Sequence, residues 1–277
     1  MADEKKRPQL HFSHIDCLVR CGEQFRRIYL CGERRPPGVA LLVGSAVHKS
    51  VERDLKNKVA DGVLLPAEAI QETARDALKA RWNEEGVQLS EAEAFDGIEK
   101  TQGACIDTSV ALALLHHAEI APAVRVTSED DIERPFVIDT SGKYPFDISG
   151  TVDIREHAEG GAVIRDTKTK KSSPPKNIAD VSLQLTVYAM AEKIITGEAP
   201  SRVCFDFLIK TKTPKALSIS STRTEADFDV FLRRFEQYCK TIESGVFLPA
   251  DPSGWMCSPE WCGFYDSCPY AKGRVQG

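Results

Sequence analysis

Residues 146–169, FDISGTVDIREHAEGGAVIRDTKT, contain two runs rich in β-branched residues, 146–154 and 162–169, on either side of the turn signal Glu159-Gly160-Gly161. A third run, IERPFVID at 132–139, precedes them across Ser141-Gly142. The three read as an antiparallel meander in which Asp153 closes the second strand and Asp166-Thr167-Lys168 closes the third. Side chains alternate along a strand, so Asp166 and Lys168 share a face, and the neighbouring hairpin strand can bring Asp153 beside them.

Working outward, DVSLQLTVYAMAEKII (180–195) reads as a helix, RVCFDFLIK (202–210) as a strand, ALSIS (216–220) as a further strand and 225–243 as a last helix. Upstream, 13–30 reads as a helix with Ser13 as N-cap, ended by Gly32 and Pro36-Pro37. Residues 45–58 read as a helix capped by Ser45, and 66–119, rich in Ala, Glu and Leu, as helices throughout. The core order is α, β-β-β, α, β, an α/β fold with a mixed sheet.

The 277 residues are 42% hydrophobic and 28% charged, with net charge −5 and nine cysteines. These values fit a globular chain with a sizeable core. No apolar run reaches the roughly 18 residues that span a bilayer, and the first ten residues lack a signal peptide's apolar stretch, so a cytoplasmic protein with no membrane partner is expected. A reducing compartment and an odd cysteine count argue against a disulfide scaffold. Mild acidity would ordinarily disfavour a nucleic-acid partner. The charge is unevenly spread, however: residues 20–58 carry nine Lys/Arg against four Asp/Glu and 163–215 ten against five, while 61–135 carry six against sixteen.

Two carboxylates and a lysine on one sheet face have a clear chemical use. Hard oxygen ligands hold Mg²⁺ or Mn²⁺, which acidifies bound water and neutralises phosphodiester charge, and a lysine can orient the attacking water or stabilise the transition state. Gln184 and Tyr188, at i and i+4, lie on one face of the following helix.

Together, Gly150-Thr151-Val152-Asp153, Asp166-Thr167-Lys168 and 184–189 (QLTVYA) resemble the G-x-x-D, D-x-K and Q-x-x-x-Y motifs of the RecB-like branch of the PD-(D/E)xK nucleases. Gly44-Ser45-Ala46-Val47-His48 is similar to that family's G-x-x-x-H element. The resemblance covers 13–55 and 132–270. It implies a restriction-endonuclease-like core at 132–215 within a single nuclease domain spanning 1–277, interrupted by a variable helical insertion at 60–131. It also implies that His48, Asp153, Asp166 and the carbonyl of Thr167 hold the metal, that Lys168 is the catalytic lysine, and that Gln184 and Tyr188 lie at the active-site edge. A histidine donor is softer than a carboxylate and tilts the site toward Mn²⁺ over Mg²⁺.

Cys257, Cys262 and Cys268 fall within twelve residues and supply three corners of a thiolate site, the fourth coming from elsewhere. RecB-like nucleases with a [4Fe–4S] cluster take it from the N-terminal helix, where Ser13, Cys21 and Phe25 match the family pattern, so that 13–36 and 254–270 would be stapled together. Four residues separate Cys257 from Cys262, whereas the family has C-x-x-C. Cys17 is the rival fourth ligand and structural Zn²⁺ the rival metal. Arg26 and Arg27, flanking the cluster helix with Arg34 and Arg35, and Lys170 and Lys171, after the D-x-K strand, form basic clusters suited to DNA phosphates.

The expected activity is metal-dependent exonucleolytic hydrolysis of DNA ends or single strands, as in phage recombination, repair or CRISPR adaptation, in the host cytoplasm if the chain is phage-encoded. The alternatives are a structure-specific endonuclease and a non-catalytic DNA-binding module. The absence of G-x-x-x-x-G-K-[ST] means that unwinding would come from a partner such as a helicase, and an annealing protein or integrase subunit is a further expected partner.

Overall fold

A computed structural model describes residues 7–271. The long strand β3 (Asp147–Ala158) organises the sheet. It pairs antiparallel with β2 (Ile132–Ile138) along 148–154, antiparallel with β4 (Gly161–Lys170) over 154–158, and parallel with the short β1 (Gln9–His11) at 147–149. Helix α7 (Leu183–Thr196) crosses over to β5 (Arg202–Ile209), which lies parallel to β4, and β6 (Lys215–Ser221) closes the edge antiparallel to β5. The meander, the crossover and the mixed sheet agree with the sequence reading. β1 is an addition, too short at three residues to leave a periodic signal.

One sheet face packs against α7 and α8 (Glu225–Ser244), with Ile148, Val152, Ile164, Phe207, Leu185 and Phe231 in its core. The other packs against α3 (Val39–Asp61), α4 (Ala67–Glu85) and, after the short α5 (Glu91–Asp96), α6 (Ile98–Glu119), where Leu42, Leu55, Leu78 and Leu112 meet Ile132, Ile154 and Leu208. The helices at 60–131 therefore form part of a core layer. No helix among the described residues is long and apolar enough to cross a membrane.

Several expected boundaries move. β3 runs on past Asp153 to Ala158 and β4 past Lys168 to Lys170, so both carboxylates lie inside strands. The helix expected over 13–30 is broken. α1 (Phe12–Arg20) starts behind His11 and not Ser13, Cys21 is extended, and α2 (Gly22–Phe25) passes into a π-helical turn, Arg26–Leu30. The break is imposed from a distance. The N–H of Gly22 donates to the carbonyl of Leu248 at 2.7 Å, and a Cβ on Gly22 would come within 2.8 Å of that backbone. Ser45 is likewise no cap: α3 begins at Val39 behind Gly38, and the Ser45 hydroxyl donates to the carbonyl of Leu41 inside the helix.

β2 and β3 change face at the same level. Val152 belongs to the α7 side and Ile154 to the α3 side although they are two apart, and across the ladder Phe136 and Ile132 divide in the same way. Glu133 and Asp153 occupy that level, and Glu133 has φ +51°, the only positive φ of a non-glycine among the described residues. Three residues along each strand from that level, Gly150 faces Phe136, whose ring atoms would lie 2.8 Å from an added Cβ, and Phe136 packs edge-on against Tyr188 at 5.9 Å. Gly150→Ala is therefore expected to cost about 1–3 kcal/mol of stability by overpacking, read as a lower urea midpoint. An unchanged midpoint would show that Phe136 can yield.

Candidate functional site

Where the β3–β4 ladder ends, at Ile154 opposite Arg165, Asp153 takes over the pairing. Its Oδ2 accepts the backbone N–H of Thr167 at 2.9 Å. Asp166, next along β4, is wholly buried, with Oδ2 2.6 Å from the Lys168 Nζ and Oδ1 accepting from the Gln184 Nε2 at 2.9 Å. The same Nε2 reaches the Tyr188 hydroxyl at 2.8 Å, so Tyr188 is both a core aromatic and part of the polar chain that ends on Asp166. From the opposite layer, α3 brings the His48 Nδ1 to 3.3 Å from Asp153 Oδ2. One cavity of about 530 Å³ is lined by Gly44, His48, Glu133, Thr167 and Lys168.

The electrostatics follow from burying these groups together. Burial and the nearby Asp166 raise Asp153 to about 7, and burial raises Asp166 as well. For His48, burial opposes the charged ring, but Glu133, Asp153 and Asp166 outweigh it and raise the imidazole to about 9. Lys168 is also raised: burial works against its charge, and Asp166 and Asp153 overcome it. The site holds protons that a cation would displace.

Sequence reasoning missed Glu133. Its Oε1 lies 3.8 Å from His48 Nδ1, and His48, Glu133 and Asp153 each present a ligand atom within 4.8 Å of the others. In IERPFVID nothing sets this glutamate apart from an exposed strand charge. Only the pairing of β2 with β3 places it level with Asp153.

The cysteines divide. Cys21, Cys257, Cys262 and Cys268 line one cavity of about 150 Å³ between the N-terminal helices and the tail, whereas Cys17 is buried nearby with its Sγ toward Gln24. No three of those sulfurs lie within 4.8 Å of one another, so they do not form a compact ligand shell. All nine thiols are free. Arg26 is held by both oxygens of Glu23 at 2.8 Å, and Arg27 by Glu33 and the Phe264 ring. Neither lines the site cavity. Lys171 lines an adjoining groove of about 370 Å³ with Lys210 and Trp261, and Lys170 pairs with Ile209 in the sheet.

The profile of the PD-(D/E)XK nuclease superfamily matches residues 9–269. The chain belongs to that superfamily. Among solved structures it resembles that of a "putative exonuclease" from Eubacterium rectale, with TM-score 0.57 and 14% identity over 99% of this chain and 93% of that one. No curated protein matches the sequence. PD-(D/E)XK nucleases act on nucleic-acid phosphodiesters with a divalent metal, and the donors gathered here, carboxylate oxygens and one imidazole, suit Mg²⁺ or Mn²⁺.

The proton positions predict how the metal-free nuclease responds to pH. Asp153, raised from 3.8 to about 7, loses its proton later when folded than when unfolded, so its ionisation withdraws stability as pH rises through that window. His48, raised from 6.5 to about 9, contributes stability that is full below 6.5 and lost as pH rises to 9. In EDTA, Asp153→Asn should therefore melt above wild type at pH 8–9, by an amount that shrinks toward pH 5. Equal melting at both pH values would contradict the assignment.

Proposed function

We propose that this nuclease is a metal-dependent DNA exonuclease of the RecB-like branch, acting on DNA ends or single strands. The observation that carries the reading is the convergence, from three separate elements, of His48 beside Asp153 and of the Asp166–Lys168 pair, with His48 and Lys168 lining one open cavity. His48, Asp153, Asp166 and the Thr167 carbonyl would hold the cation. When bound, it supplies an acidified water and neutralises phosphodiester charge.

The protein's own groups do the rest. The Thr167 N–H fixes one oxygen of Asp153, and Gln184 and Lys168 hold the two oxygens of Asp166, so neither carboxylate is free to turn. Lys168 is kept protonated by Asp166 and opens onto the cavity, where it can orient the attacking water and stabilise charge on a phosphate oxygen. Lys171 and Lys210, with the exposed Trp261, line the adjoining groove and suit the phosphates and bases of a strand leading to the site. Action at ends draws support from the Eubacterium rectale neighbour's description as an exonuclease.

The reading extends to the cysteines. A [4Fe–4S] cluster on Cys21, Cys257, Cys262 and Cys268 draws support from the one cavity that all four thiols line. It would reinforce a junction already made by Gly22 with Leu248 and by the N–H of Ala250 to the Cys21 Sγ. Anaerobically purified protein should then be brown and carry iron and sulfide. Colourless protein with stoichiometric zinc would remove the cluster.

The activity is tested with end-labelled linear, circular and single-stranded DNA in Mn²⁺ and Mg²⁺. Linear DNA should be degraded and circular duplex left intact, and Lys168→Ala should slow degradation about 10²–10⁴-fold. Cleavage of circular duplex would favour a structure-specific endonuclease. Degradation by Lys168→Ala or Asp166→Ala equal to wild type would reduce the chain to a binding module.

A further inference from the structure

The charges around the cavity show what the His48, Asp153 and Asp166 set leaves undone. Asp166 is neutralised by Lys168 at 2.6 Å. His48 in its ligating form is neutral, so these groups together offer one net negative charge, from Asp153, to an ion of charge +2. A dication in a half-buried site calls for nearer balance. The fourth charged side chain at this level is Glu133, and it reaches the site by an unusual route. Its neighbours in β2 are committed: Ile132 packs in the α3-side core, and Arg134 pairs with the buried Glu192 of α7 at 3.4 Å. Between them the backbone turns left-handed, at φ +51°, a conformation that disfavours a residue with a Cβ. The outcome is a carboxylate within 4.8 Å of the ligand atoms of both His48 and Asp153.

We propose that Glu133 is a metal-ligating residue of this site, bringing its net charge to −2 and completing a donor set drawn from α3, β2, β3 and β4. The inference rests on the metal-dependent reading above and adds to it a ligand from a strand that carries no nuclease motif. The backbone conformation at Glu133 is sustained for its carboxylate, and the Arg134–Glu192 pair and the Ile132 contact hold it there. Glu52 lines the same cavity but is paired with Lys49 and Lys56 at 2.8 and 2.9 Å, and it lies outside the donor set.

The test is Mn²⁺ binding to the full chain without DNA, followed by calorimetry and by the electron paramagnetic resonance signal of free Mn²⁺. Glu133→Gln should weaken binding at least tenfold, and Glu52→Gln less than twofold. Glu133→Gly should weaken binding equally while melting at or above the wild-type temperature, because glycine adopts the positive φ without strain. Wild-type affinity in Glu133→Gln, or an equal loss in Glu52→Gln, would overturn the inference and leave the nuclease reading standing. A wild-type chain that binds no Mn²⁺ would overturn both.

Discussion

The hydrogen bond from the Thr167 N–H to the Asp153 carboxylate is the contact around which the site is built. β3 and β4 separate beyond Ile154 and Arg165, and a backbone donor left there without a partner would be costly. The Asp153 side chain takes the place of the missing strand, which fixes its own orientation and holds β4 where Asp166 and Lys168 face Gln184. One short side chain thus ends a ladder and fixes a carboxylate of the site.

Around that contact the nuclease supports its charges from both sheet faces. On the α7 side, Glu192 accepts from Arg155 at 2.8 Å and from Arg134, tying the helix that carries Gln184 to the two strands that carry Asp153 and Glu133. On the opposite side, Arg165 is held by Glu156 at 2.6 Å and by both oxygens of the buried Asp206 at 3.0 Å, directly behind β4. Paired ions of this kind add little net stability but strongly resist being separated. They suit a site in which two carboxylates must stay close before a cation arrives.

The helical segment at 60–131 shows how composition and packing can be read apart. The family resemblance implied a variable insertion there, and many of its charges are exposed. Its apolar stripe, however, including Leu78, Trp82 and Leu112, packs with α3 against the sheet. It therefore backs the helix that presents His48. Gly150 makes a comparable point on a smaller scale: within the G-x-x-D motif it makes room for Phe136, which packs on Tyr188, which in turn meets Gln184.

The meander, the crossover helix, the mixed sheet and the grouping of Asp153, Asp166 and Lys168 were legible in the sequence, and the motif resemblance added Gln184. Period-two and period-3.6 patterns are local, and the motif residues lie on consecutive elements. The break at Cys21, the early start of α3, the three-residue β1 and the approach of Glu133 were not legible. Each depends on a partner far away in the chain: Leu248 for the Cys21–Gly22 step, Asp147 to Ser149 for β1, and Asp153 and His48 for Glu133. Local propensity determined which elements form. Which side chains share one cavity was settled by strand register and by the face change at Glu133 and Asp153, which exist only once the strands pair.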